Sequence, residues 1–190
     1  MTIEEIFSQL SAHMIKGLMI HDQLSSAYAF LNLCGYRKCH EYHYFAESFN
    51  YRCLQDYYLD HYNKLVPETK IDSPEVIPAT WYKYERMDVD ANTKRAAIKD
   101  MMKIWVEWET AAKQLLEKSY KELYDMGEIS AALKISCFLK DTTKELHHAH
   151  EKQMNLETIG YDIEEIIAEQ KPLCKKYWEK MQCIYAMEGD

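Results

Sequence analysis

Three of the four prolines in this chain, Pro67, Pro74 and Pro78, fall close together in one polar stretch. Proline donates no backbone hydrogen bond and blocks a helix interior, and here the hydrophobic periodicity of the flanking sequence stops with it, from Pro67 to Asn92. Structureless connections longer than about 15 residues are uncommon inside a compact domain. Residues 67–92 are therefore predicted to cross the length of the molecule and to separate two halves that fold as units.

Each half reads as a helical hairpin. Residues 2–33 place Ile3, Phe7, Leu10, Met14, Leu18, Ser25 and Tyr28 along one face, and residues 36–66 continue without a breaker. The turn is predicted at Cys34-Gly35. Beyond the crossover, residues 93–125 carry Ile98, Met102, Trp105, Ala112, Leu116 and Leu123 on one face, and a fourth helix is predicted from Glu128 to about Leu156. Gly35, Gly127 and Gly160 each follow a helical run, where a left-handed C-terminal cap favours glycine. Residues 162–188 form an amphipathic tail interrupted by Pro172, with Ile163, Ile166, Ile167, Trp178, Met181 and Ile184 available for packing. The predicted organisation is a four-helix unit over 1–160 and a helical tail over 161–190 that packs on it.

Composition narrows the function. A chain of 190 residues that is 47% hydrophobic can bury a substantial core. Its net charge of -8 argues against nucleic acid as a main partner, because phosphate contacts need a basic face. No stretch is apolar for the length that a bilayer requires, and residues 1–30 lack the features of a signal peptide. The expected location is the cytoplasm, with no membrane partner. The six cysteines are scattered through helical segments of a chain too large to need disulfide staples, and are expected to be reduced.

Helix hairpin, long crossover, helix hairpin is an all-α connectivity that resembles the ferritin-like superfamily. The resemblance implies a four-helix bundle with a di-metal site, built from one Glu on each of two helices and a Glu-x-x-His pair on each of the other two. Iron is the implied metal, with manganese as the alternative because the same donors serve both. The implied activities are oxidation of Fe(II), iron storage or a related oxidase reaction, and a homo-oligomer is expected.

Candidate ligands lie on all four helices. Glu109 falls on the apolar face of the third, beside Trp105, where an unpaired carboxylate is costly, whereas Glu107 points outward. Counting outward from Gly127 puts Glu109 level with Glu145 of the fourth helix, within Lys-Glu-Leu-His-His-Ala-His-Glu-Lys at 144–152. Glu145 and His148 have the family's spacing, but the apolar stripe of Ala132, Ile135, Leu139 and Leu146 points instead to His147 and especially His150. Both pairs stay candidates. The second helix carries an unusually polar inward line that includes Tyr36, His40, His43, Glu47 and Tyr51, with Asn50 where Glu47-x-x-His would place histidine. By the same counting Glu47 is level with His21, which occupies the first helix where the family has glutamate. These departures point to a histidine-richer site, a single metal or a lost site.

Two other readings compete. Zinc at Cys34, Cys39 and His43 has suitable donors but no recognised spacing. A non-catalytic helical bundle would instead act through its surface, using the tyrosine-rich second helix and the tail to hold a partner or another subunit.

Overall fold

The structure, a computed structural model, describes residues 1–68, 70–78, 81, 84–85 and 89–187, with side chains to residue 182. Among the described residues five helices follow one another: α1 (Ile3–Phe30), α2 (Cys34–Tyr62), α3 (Ala91–Asp125), α4 (Ile129–Thr158) and α5 (Ile163–Met187). The expected crossover lies between α2 and α3, and several of its residues, like the side chain of Ile184, fall outside the described ones. Among the described residues no helix is long and apolar enough to cross a membrane.

Local chemistry sets where the helices begin. Thr2 accepts from the Glu5 N–H at 3.1 Å while Glu5 accepts from the Thr2 N–H at 2.8 Å, a reciprocal cap on α1. Asp90 caps α3 through the N–H groups of Asn92 and Thr93. Gly127 and Gly160 take φ of 81° and 61°, in the left-handed region expected of glycine caps.

Gly35 does something else. The first hairpin turns at Leu31, Asn32 and Leu33, with Asn32 taking the left-handed φ of 61°, and Gly35 already lies in the first turn of α2. Asparagine tolerates this conformation because its short polar side chain bonds locally. Gly35 is needed for close approach instead: a β-carbon there would lie 2.7 Å from the Gln170 carbonyl oxygen and from Leu173 Cβ. The tail also differs from expectation. Pro172 sits inside α5 without ending it, since α5 is held on both sides of the proline against α2, through Gln170 before it and Tyr177 after it.

The helices of each hairpin pack along each other, and α5 lies along α2. Two apolar clusters fill the interior. One gathers Leu24, Tyr28, Tyr36, Ile98, Met102 and Trp105 with residues of α4 and α5, and the other gathers Phe7, Leu10, Leu54, Leu116 and Ile135. Between them, at the middle of the bundle, lies a polar layer.

Candidate metal centre

Each of the four bundle helices sends at least one imidazole or carboxylate into this layer. His21 and Glu109 come from α1 and α3, and Trp105 Nε1–H, one turn before Glu109, donates to Glu109 Oε1 at 3.1 Å. His43 comes from α2 and Glu145 with His148 from α4. Two groups of potential ligands result, with donor atoms within 4.8 Å of one another in each: His21, His43 and Glu109, all buried, and His43, Glu145 and His148. His43 belongs to both. His21 Nε2 lies 3.8 Å from Glu109 Oε1, and His43 Nε2 lies 3.6 Å from Glu145 Oε2.

The electrostatics are those of ionisable groups crowded into a dry core. Burial holds the imidazoles of His21, His40 and His43 well below the usual histidine range, and neighbouring histidines add to it. Burial raises Glu109 well above the usual carboxylate range, with repulsion from Glu47 and Glu145 in the same direction and the Trp105 bond opposing it. Glu47 is pushed up to about 7 by burial and by Glu145, and His148 is pushed down to about 4 by burial and nearby lysines. Neutral imidazoles carry the lone pairs that metal binding needs, and a cation among these carboxyls would reverse the repulsion that keeps them protonated.

Buried polar atoms without partners test whether a metal fits. His21 Nε2 and His43 Nε2, like His40 Nε2, are buried and make no hydrogen bond among the described residues. Such atoms are rare in cores unless an ion or water completes them. Both are members of the buried ligand group that contains Glu109. The donor set fits a transition metal of intermediate softness.

Glu47 is half-buried one turn further along α2, beside Leu10, His13 and Met14 rather than level with His21. The reason is the turn: with its centre at Asn32 instead of Gly35, the residue opposite His21 becomes His43, and their ring centroids are 5.1 Å apart. His147 and His150 are exposed and stand outside both groups. The buried line of α4 runs through Ala131, Ile135, Phe138 and Ala149, not through Leu139 and Leu146, and this turns Glu145 and His148 inward. Among the described residues Cys34, Cys39 and His43 form no ligand group; Cys34 is exposed and Cys39 buried.

Two contributors were not singled out in the sequence as site residues. His40 is buried with its Nδ1 3.1 Å from Nδ1 of His21, and it stands on the polar inward line of α2, a signal that was readable. Tyr177 reaches in from α5, its hydroxyl 3.0 Å from His148 Nε2. No local pattern marks it, because only the docking of α5 brings it there.

No family model matches the sequence, and no curated protein does. Solved structures do match in shape. A humanized archaeal ferritin superposes with a TM-score of 0.75 at 11% identity, covering 90% of this chain and 94% of that one. A closed form of the Archaeoglobus fulgidus ferritin, engineered by site-directed mutagenesis, superposes with a TM-score of 0.74 at 12% identity, covering 92% and 96%. The helical connectivity and these superpositions show that the chain has a ferritin-like helical-bundle fold.

Proposed function

We propose that this protein binds a transition metal, iron or alternatively manganese, in the middle of its bundle, and acts as a ferritin-like metal protein. The observation that carries the reading is the pair of unpartnered, buried nitrogens, His21 Nε2 and His43 Nε2, grouped with the carboxyl of Glu109. His21, His43 and Glu109 would hold a first ion, and His43, Glu145 and His148 offer donors at an adjacent position, with Glu47 beside them.

The histidine tautomers follow from this assignment. For His21 to ligate through Nε2, its proton must sit on Nδ1, which then donates to Nδ1 of His40 at 3.1 Å. His40 accepts there and carries its own proton on Nε2, which meets no acceptor among the described residues. It thereby orients the His21 ring and raises its basicity, as outer partners of ligating imidazoles do. Trp105 likewise orients Glu109 by donating to Oε1, but it favours the ionised carboxylate rather than raising its basicity, and it leaves the second oxygen free to ligate. The apolar clusters cover the layer on either side along the bundle. A bound iron ion supplies electron transfer toward oxygen, and ferroxidase, storage or oxidase turnover is the activity to assay once binding is shown.

Metal content measured by mass spectrometry on untagged protein, before and after anaerobic Fe(II) loading and desalting, tests the reading. One or two ions retained per chain are expected, together with their loss from Glu109→Ala at unchanged helical content. His43→Ala should lose more metal than His148→Ala, because His43 serves both groups. Retention of metal by a folded Glu109→Ala chain would remove the central ligand assignment.

Self-association and a cytoplasmic setting belong to the same proposal. Leu133 of α4 and Ile167 and Trp178 of α5 are large apolar side chains left about half exposed in the single chain, material for contact between copies. The cysteines with described side chains are all unpaired. Sedimentation of the parent and of Leu133→Glu should show an assembly that the variant weakens.

A further inference from the structure

Alongside the ligand groups lies a cavity of about 470 Å³ that opens between α2 and α4. Those two helices belong to different hairpins and meet through side chains, His43 with Glu145 and Tyr57 with Ser130, and the gap lies between their backbones. A water occupies about 30 Å³, so the space is roughly an order of magnitude larger than the passage of an ion requires and falls in the range of small-molecule sites. His43 and Glu109 line its inner end, each only 3% exposed, and His43 Nε2 has no hydrogen-bond partner among the described residues.

The lining is divided by chemistry. Tyr42, Ala46 and Phe49 form an apolar wall, and Phe49, 51% exposed, stands toward solvent. Glu47 and Glu145 line the same cavity from α2 and α4. Lys144 on the lining is tied to Asp141 at 2.9 Å, and Lys180, 4.7 Å from the centre of the Tyr42 ring, offsets part of the charge at Glu145, so that Glu47 and Glu109 leave the lining acidic on balance. Burial raises Glu47 and Glu145, and a cation entering between them would restore their ionised form, whereas an anion or a neutral apolar molecule brings them no counter-charge.

We propose that this cavity binds a small organic cation, a primary ammonium bearing an apolar tail, with the ammonium between Glu47 and Glu145 and the tail against Ala46 and Phe49. An ammonium has three donors and two carboxyls to receive them, and burial of the tail adds affinity in proportion to the apolar area removed from water. The binding does not require a metal. That the head of the ligand lies beside a metal held by His21, His43 and Glu109, as a substrate would, rests on the reading above.

Calorimetric titration of the full chain, freed of metal by chelation, with n-octylammonium, octanoate and n-octanol tests the proposal. Saturable binding of n-octylammonium, tighter than octanoate by roughly tenfold or more, is the expected result. Ala46→Trp, which puts an indole into the space that the apolar tail would occupy, should abolish it at unchanged helical content. Should that variant fail to fold by circular dichroism, Phe49→Ala serves instead, weakening n-octylammonium and leaving methylammonium unchanged. Octanoate bound as tightly, no saturable binding of n-octylammonium, or undiminished binding by the folded variants would overturn the proposal. A parent chain that binds n-octylammonium but retains no metal would sink the metal reading alone.

Discussion

His13 stacks on Trp108 with ring centroids 4.0 Å apart, and Trp108 in turn presses on Gly17, where a β-carbon would lie 3.0 Å from the indole. Burial pushes the His13 imidazole down to about 4, with Lys16 adding repulsion. The unfolded chain takes up this proton near pH 6.5, whereas the folded chain resists until about pH 4. In that window the unfolded state holds more protons, so stability is full above about pH 6.5 and is lost progressively down to about pH 4. His13→Phe keeps an aromatic ring against Trp108 and removes the titration. Urea unfolding of metal-free protein should show a shallower loss between pH 6.5 and 4 for the variant than for the parent, and equal slopes would mean that His13 is solvated. Elsewhere, single residues were readable where apolar neighbours fix a direction: Glu109 sits between Trp105 and Ala112, and its inward placement followed from them. His40 was equally inward but carried no motif, and its contact with His21 depends on the register of two helices.

Helix α4 shows why the direction of an element can be misread. Its inward line includes Thr142 and Glu145, which face the cavity, so the very residues that build the site remove apolar weight from the buried face. A stripe drawn through Leu139 and Leu146 then rotates toward His147 and His150, while the Glu145-x-x-His148 spacing keeps the right phase. The N-terminus of α2 was opaque for another reason. Leu33 supplies no side-chain cap, and the free N–H groups of Gly35 and Tyr36 are met by Gln170 Oε1 at 2.9 and 3.3 Å, from a residue far along the chain. Gly35→Ala should therefore act on α5. Its β-carbon meets backbone at 2.7 Å, which no side-chain rotation relieves, and overpacking of this kind costs about 1–3 kcal/mol. Hydrogen exchange should report faster exchange through α5 around Leu173 with α3 and α4 little changed. Undisturbed α5 protection would show that the helix docks without this contact.

On the scale of the molecule, the two hairpins were legible because prolines and glycines mark their limits, but what joins the hairpins was not. The crossover is one link and the apolar clusters are another. The third is the polar layer, in which His21 and His43 belong to the first hairpin and Glu109, Glu145 and His148 to the second. Without a cation this layer weakens the join, since buried nitrogens lack partners among the described residues and burial holds Glu109 from its ionised form. A metal held by both hairpins turns the same residues into a cross-link, and since unfolding disperses them, its binding energy adds to stability. At a free metal concentration a hundredfold above Kd the gain is about 2.7 kcal/mol, which for a chain of this size raises Tm by roughly 5–10 °C. Calorimetry with Mn(II), which avoids oxidation during the scan, should show this rise for the parent and none for Glu109→Ala. Glu107→Ala, on the solvent side of α3, should rise like the parent. If the Glu109 variant rose equally, the ion would be bound elsewhere on the acidic surface, and the polar layer would have to be explained by packing alone.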